Sequence, residues 1–275
     1  MTETMTNYLM VKQFNQVFGH PAPDSARITI FTESPDVVKL RNSLIHEEIT
    51  ELRDAINAED VVEIIDALSD IQYVAYGLLV VYGVDGDNEF TNYMAEKYEM
   101  LDSNMSSECA KLSNFVKTKE FISKLLNGDS FDVTPKTFLD RYTEPSYREI
   151  FNRYVDDLLI AYKSLENASN NSKFVETVKG TFEVLYITYV VGSLIGVDLD
   201  ESIRMVHESN MSKICSSEEE AQKTVEWYRE NEARYDSPSF RKSEFTDGFV
   251  VFNESTGKIL KNVNYQAVNL RGFLE

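Results

Sequence analysis

Two short acidic runs on neighbouring segments hold the residue types best suited to chemistry. Glu47-Glu48-x-x-Glu51 is followed by Glu63-x-x-Asp66-x-x-x-Asp70. At about 100° per residue, Glu47 and Glu51 share a helix face, and Glu48 lies about a sixth of a turn beyond Glu51. Glu63, Asp66 and Asp70 fall on one narrow stripe, which Tyr73 and Gly77 continue. Two like charges about 4 Å apart repel by about 4 kcal/mol at an effective dielectric near 20. Several half-buried carboxylates therefore need protons or cations beside them. An all-oxygen set without cysteine or histidine favours a hard ion, magnesium first and manganese or calcium behind.

The position of these carboxylates relative to the apolar faces matters as much as their number. On the first helix Ile45, Ile49, Leu52 and Ile56 form the core face, and His46, Thr50, Arg53 and Asn57 the opposite pole; the glutamates lie between. On the second, Ile64, Leu68, Ile71, Ala75 and Leu78 form the core stripe, Val62 and Val74 flank the acids, and only Ser69 and Gln72 read as solvated. Solvated charge normally occupies the pole opposite the core. The bland alternatives are a capping box between Asp60 and Glu63 and a plain acidic surface on the first helix. A ferritin-like di-iron bundle wants Glu-x-x-His on its helices, and neither His46 nor His207 has a glutamate three residues before it.

The elements that must position these residues read as helices. A short helix over 7–18 precedes a loop marked by Gly19, Pro21 and Pro23. Ser34-Pro35 starts a helix running to about Asn57, with Ser34 as its cap. Asp60 caps the next, which Gly83 stops near Tyr82, and a third follows from about Asn88. Residues 127–147, with Asn127-Gly128, Pro135 and Pro145, are the boundary candidate between units 1–127 and 128–275. Helices resume at 147–168, 173–195, 199–213 and 218–235. Phe249–Phe252 and Lys258–Lys261 flank a turn, predicting a small C-terminal β-hairpin.

The chain also repeats itself. Val62-Glu63, Tyr73, Tyr76 and Gly83-Val84-Asp85 recur as Val175-Glu176, Tyr186, Tyr189 and Gly196-Val197-Asp198, all at one offset (176 − 63 = 113). Ser103-Asn104-Met105-Ser106 recurs as Ser209-Asn210-Met211-Ser212 at 209 − 103 = 106, so the first copy holds about seven extra residues in its third helix or the loop before it. A constant offset of this kind marks duplication. The recurrence of Tyr73 and Tyr76 in both copies marks them as core.

At 275 residues and 43% hydrophobic content the chain buries a real core. Its net charge of −19 argues against nucleic acid and anionic membrane as partners. No run of about 18 uncharged apolar residues suggests a membrane span. Residues 1–15 lack a signal-peptide layout. Two distant cysteines, Cys109 and Cys215, suit a reducing, cytoplasmic setting.

The pattern resembles the all-α nucleoside triphosphate pyrophosphohydrolases, the group of MazG, dimeric dUTPases and phosphoribosyl-ATP pyrophosphohydrolase. Beside the acidic motif it is similar in Val11-Lys12-Gln13-Phe14, Phe18-Gly19-His20-Pro21, Leu40-Arg41, Asp66-Ala67-Leu68-Ser69-Asp70, Tyr73 to Gly77, Val206 to Lys213, Gly257 to Lys261, and Tyr265. The resemblance implies an all-α, duplicated MazG-like bundle. It implies magnesium-dependent hydrolysis of a (d)NTP to the monophosphate and pyrophosphate, a reaction of nucleotide-pool control. On that likeness Glu47, Glu51, Glu63 and Asp66, with Asp70 beside them, match the metal ligands, and Glu48 activates the attacking water. A dUTP- or dCTP-selective diphosphatase and a non-catalytic nucleotide-binding regulator are the alternatives.

The second copy departs from this pattern. It has Ile160, Ala161 and Ser164 for Glu47, Glu48 and Glu51, and Lys179 and Glu183 for Asp66 and Asp70; only Glu176 survives. Conversely, only the second copy keeps Lys213 and the Gly257-Lys258 tail. Because single-copy relatives work as dimers, the expectation is a fused pseudo-dimer, monomeric or a homodimer. Its first half supplies metal and water, and its second supplies Asn210, Lys213, Lys258 and Lys261 to the phosphates.

Overall fold

The computed structural model describes residues 5–99 and 133–275. The fold is all-α apart from one small sheet. Helix α1 spans Asn7–Phe18, α2 Ile30–Glu33, α3 Pro35–Asn57, α4 Val61–Tyr82 and α5 Gly86–Glu99. After the intervening stretch come α6 (Phe138–Tyr142), α7 (Pro145–Asn170), α8 (Phe174–Ile195), α9 (Leu199–Met211) and α10 (Glu218–Asn231). Strands β1 (Pro238–Lys242) and β2 (Phe249–Asn253) pair antiparallel, Phe240 opposite Val251.

Local chemistry sets the helix ends. Pro35 opens α3, where its missing N–H costs nothing. Ser34 makes no cap bond there; its hydroxyl instead accepts from Arg27 at 3.2 Å. Asp60 caps α4, its carboxylate accepting from the N–H groups of Val62 (3.1 Å) and Glu63 (3.2 Å). The reciprocal bond of a capping box is not made, because the Asp60 N–H goes to the Ala55 carbonyl. Gly83 ends α4 at φ 69°, a left-handed turn open to glycine.

The duplication is visible in the backbone. Helices α4 and α8 begin and end 113 residues apart (174 − 61), as do the ends of α3 and α7. The two connecting turns carry their unusual positive φ at Glu59 (54°) and Ser172 (55°), again 113 apart (172 − 59). Helices α5 and α9 still keep that offset at their starts (199 − 86). The seven extra residues of the first copy therefore do not lie in the loop before α5. The repeated Ser103–Ser106 segment, Asn104, Cys109 and the proposed 127/128 boundary all lie outside the described residues.

The α3/α4 and α7/α8 hairpins pack together through α4 and α8, with α3 beside α7. One continuous core runs from Tyr8 through both hairpins to Leu270. Helix α9 then crosses onto the first copy, lying against α4 and α1. This overturns the expectation that Ser69 and Gln72 face solvent. Both are fully buried, and Ser69 donates to the Ser202 hydroxyl of α9 at 2.7 Å. By length and hydropathy α4 and α8 would also suit a membrane, but both are mostly buried within the protein. Interior helices of a bundle need the same apolar surface on every side.

The C-terminal hairpin differs in its pairing. The predicted partner of β2, Lys258–Lys261, contributes an isolated Phe252–Ile259 bridge, while β1 supplies the full ladder. The sheet packs onto α10, and Arg241 of β1 donates to the Phe18 carbonyl at 2.8 Å. The tail thereby closes over the end of α1.

Candidate active site

Helices α3 and α4 run antiparallel, so residues equally far from their connection face one another. Glu48, Asp66 and Asp70 line this seam half-buried, while Glu47, Glu51 and Glu63 stand exposed along its rim. Asp70 has risen to about 7, first from burial and then from Asp66 and Glu51, with Lys213 pulling the other way. Asp66 is also raised, by burial and by Glu63 and Glu51, and Lys261 opposes the rise. Glu48 is pushed furthest, to about 8, by burial and then Asp70, Glu51, Glu47 and Asp66. Its Oε2 is buried without a hydrogen-bond partner. Burial first, and then mutual repulsion, makes Glu48 and Asp70 hold protons near neutrality and raises Asp66 in the same direction.

The opposing charge comes from the other half of the chain. Lys213, just past α9, is half-buried and donates to Asn210 Oδ1 at 2.6 Å. Burial lowers its ammonium to about 8, with Lys261 and Lys258 contributing and Asp70 resisting. Lys261 sits 4.4 Å from the Tyr265 ring centroid and within electrostatic reach of Asp66. Lys258 is exposed, and its influence is felt at Lys213. Asn210 also bonds to Tyr73, whose hydroxyl lies 3.1 Å from His207 Nδ1; His207 Nε2 in turn meets Gln13 at 3.1 Å. The tyrosine read as plain core is thus a polar joint between α1, α4 and α9. Its place on the acidic stripe was the signal for this role.

Do these residues fit a divalent cation? Among the described residues, no three carboxylates already stand around one point as a finished coordination shell. The donor chemistry does fit. Every candidate ligand is a carboxylate oxygen, Glu48 Oε2 is enclosed and unpartnered, and the surplus negative charge on this seam matches what a hard cation neutralises.

The second copy shows the contrast. Ile160 is 64% exposed where Glu47 stands in the first copy. Glu183, in the place of Asp70, pairs with Lys97 at 2.7 Å and accepts from the Tyr93 hydroxyl. An ammonium there already supplies the counter-charge.

The structure thus presents a carboxylate seam on an antiparallel helix pair, with lysines of the duplicate half nearby; the family match over its first half marks a pyrophosphohydrolase-type protein. Residues 11–95 match the family model for phosphoribosyl-ATP pyrophosphohydrolase. Over its whole length the chain is 33% identical to the uncharacterized protein L479 of Acanthamoeba polyphaga mimivirus, covering 98% of that protein. No solved structure matches. Residues 11–95 therefore belong to the phosphoribosyl-ATP pyrophosphohydrolase family, a MazG-like all-α group.

Proposed function

We propose that this chain hydrolyses a nucleoside triphosphate between its α and β phosphates, giving the monophosphate and pyrophosphate, and so acts in control of the nucleotide pool. The observation carrying this reading is Glu48: a half-buried carboxylate whose Oε2 is enclosed and unpartnered, with four other acids around it, pushed to about 8. A group with that affinity for protons suits a general base near neutral pH.

In this reading Glu47, Glu51, Glu63, Asp66 and Asp70 hold magnesium, or manganese in its place. Such an ion, when held there, would supply positive charge against the triphosphate oxygens and the attacking water. Glu48 takes the proton as the water oxygen bonds to the α-phosphorus, and the bridging oxygen leaves with pyrophosphate. Lys213, Lys258 and Lys261 offset charge on the leaving group, and Asn210 positions Lys213 through their hydrogen bond. The two halves of one chain thus supply what the two subunits of a dimer would.

The test is a panel of NTPs, dNTPs and dUTP with magnesium, assayed for pyrophosphate against orthophosphate, with Glu48→Gln as control. Pyrophosphate released by the native chain and lost in the variant supports the reading. Orthophosphate would mean a different reaction, and no product from any substrate would leave a binding protein.

A further inference from the structure

Arg41 is a cation that neither the acidic seam nor the lysines of the second half engage. It lies on α3 seven residues before Glu48, so about two turns and about 10 Å along the same helix. Among the described residues it makes no ion pair or hydrogen bond, and its Nε is buried without a partner. Burial lowers the guanidinium to about 10, with only Tyr73 opposing, so it stays charged at neutral pH. Arg41 is half-buried, its Nε enclosed, and a charge held this way without an ion partner is costly unless something else satisfies it.

The helix opposite has been shaped to admit it. A Cβ on Gly77 would stand 2.7 Å from Arg41 Nη1, closer than side chains approach. The second copy acts as an internal control. At the same offset of 113 (154 − 41 and 190 − 77), Tyr154 replaces Arg41 and Val190 replaces Gly77. Both members of the pair disappear in the copy that has lost the carboxylates. A purely architectural arginine would have no reason to follow the acids.

Its surroundings are positive and aromatic. His20 is lowered to about 4 by burial and then by Arg41 and Arg241, with no carboxylate opposing them. Phe14 lies 5.7 Å from Tyr73 and 6.1 Å from His20, centroid to centroid, and 5.9 Å from Lys213 Nζ. The same ring therefore borders both the lysine end of the seam and the Arg41 end.

We infer that Arg41, seated on Gly77, is a substrate contact that receives paired hydrogen-bond acceptors on the nucleoside side of the triphosphate. This rests on the triphosphate reading above and adds where the rest of the substrate goes. Adjacent acceptors of this kind occur on a nucleobase edge or on a further phosphate of the substrate. A planar guanidinium matches both, whereas an ammonium serves phosphate as a point charge but not a base edge.

Equilibrium binding of α,β-methylene nucleoside triphosphates, with magnesium, tests this in the full chain. The panel holds the common bases, one analogue with an extra ribose phosphate, and inorganic tripolyphosphate. Arg41→Gln is expected to weaken the nucleotides about 10- to 100-fold, the scale of a lost charged hydrogen bond, and to leave tripolyphosphate unchanged. Gly77→Ala, whose Cβ the flexible guanidinium must move aside to clear, is expected to weaken the nucleotides in the same direction but by less. Recovery with Arg41→Lys for the extra-phosphate analogue identifies phosphate; no recovery on any ligand identifies a base edge. Nucleotide binding that is equal in native protein, Arg41→Gln and Gly77→Ala overturns this inference alone. A native chain that binds no triphosphate removes the functional reading and this inference with it.

Discussion

Glu183 is closed by a 2.7 Å ion pair to Lys97, while Asp70, its counterpart in the first half, has no ion pair among the described residues. The two positions are related by the internal repeat, so the molecule carries one charge arrangement twice, with an ion pair in the second copy and, among the described residues, none in the first. Lys97→Met should therefore cost stability, about 1 kcal/mol for a pair about one-third exposed. Urea denaturation should show that loss recovered in the Lys97→Met, Glu183→Gln double variant. Pyrophosphate release should survive both changes, because neither residue belongs to the acidic seam.

Removing the crowded charge at the first site has the opposite effect on stability. Glu48→Gln should raise the melting temperature in EDTA at pH 8, since it removes a buried acid repelled by four others. The same change should lower the turnover rate by about 10²- to 10⁴-fold, the usual contribution of a general base. A variant more stable and still fully active would remove Glu48 from the chemistry.

The pH dependence has a defined sign and window. Glu48 titrates near 8 in the folded chain against 4.5 ordinarily, and Asp70 near 7 against 3.8. Raised acids bind more protons in the folded state, so their contribution is full at low pH and is lost as pH climbs through 7 to 8. His20 and His207, both lowered to about 4 from 6.5, act in the opposite sense below 6.5. Between pH 6.5 and about 7 the acids act unopposed, and nearer 8 Lys213, lowered to about 8 from 10.5, begins to oppose them, so the melting temperature in EDTA should fall most steeply at the start of that range. Magnesium should restore more at pH 8 than at 6.5, and Glu48→Gln, Asp70→Asn should flatten the slope.

Lys213 tests whether the second half completes the first. It faces Asp70 from beyond α9 and is held by Asn210. Lys213→Ala should raise KM for the triphosphate by about tenfold or more and barely move the magnesium concentration for half activation. An unchanged KM would mean that the halves are joined without sharing a site.

Much of this arrangement was legible in the sequence because it is local. Pro35, Asp60 and Gly83 act on their own helix ends, and the acidic stripes follow from helical spacing alone. What was not legible depends on distant partners. Ser69 and Gln72 read as solvent-facing because nothing nearby in sequence announces that α9, some 130 residues later (202 − 69 = 133), packs over them. Strand β1 went unread because Pro238-Ser-Phe-Arg-Lys has little alternation of its own and is ordered by β2 and α10. Arg41 was visible only as one letter of a family pattern, and its meaning needed Gly77 opposite and the Tyr154–Val190 pair for comparison. All six carboxylates read as half-buried from their place beside the core stripes; Glu48, Asp66 and Asp70 are, but Glu47, Glu51 and Glu63 are exposed, because the seam opens to solvent where they stand.

Direct titration with manganese, followed by its electron paramagnetic resonance signal without nucleotide, examines the acidic seam most simply. The native chain and Glu183→Gln should bind the ion alike, and Asp66→Asn, Asp70→Asn should weaken it at least about tenfold. Equal affinity in all three proteins would contradict the assignment of this seam as the metal site.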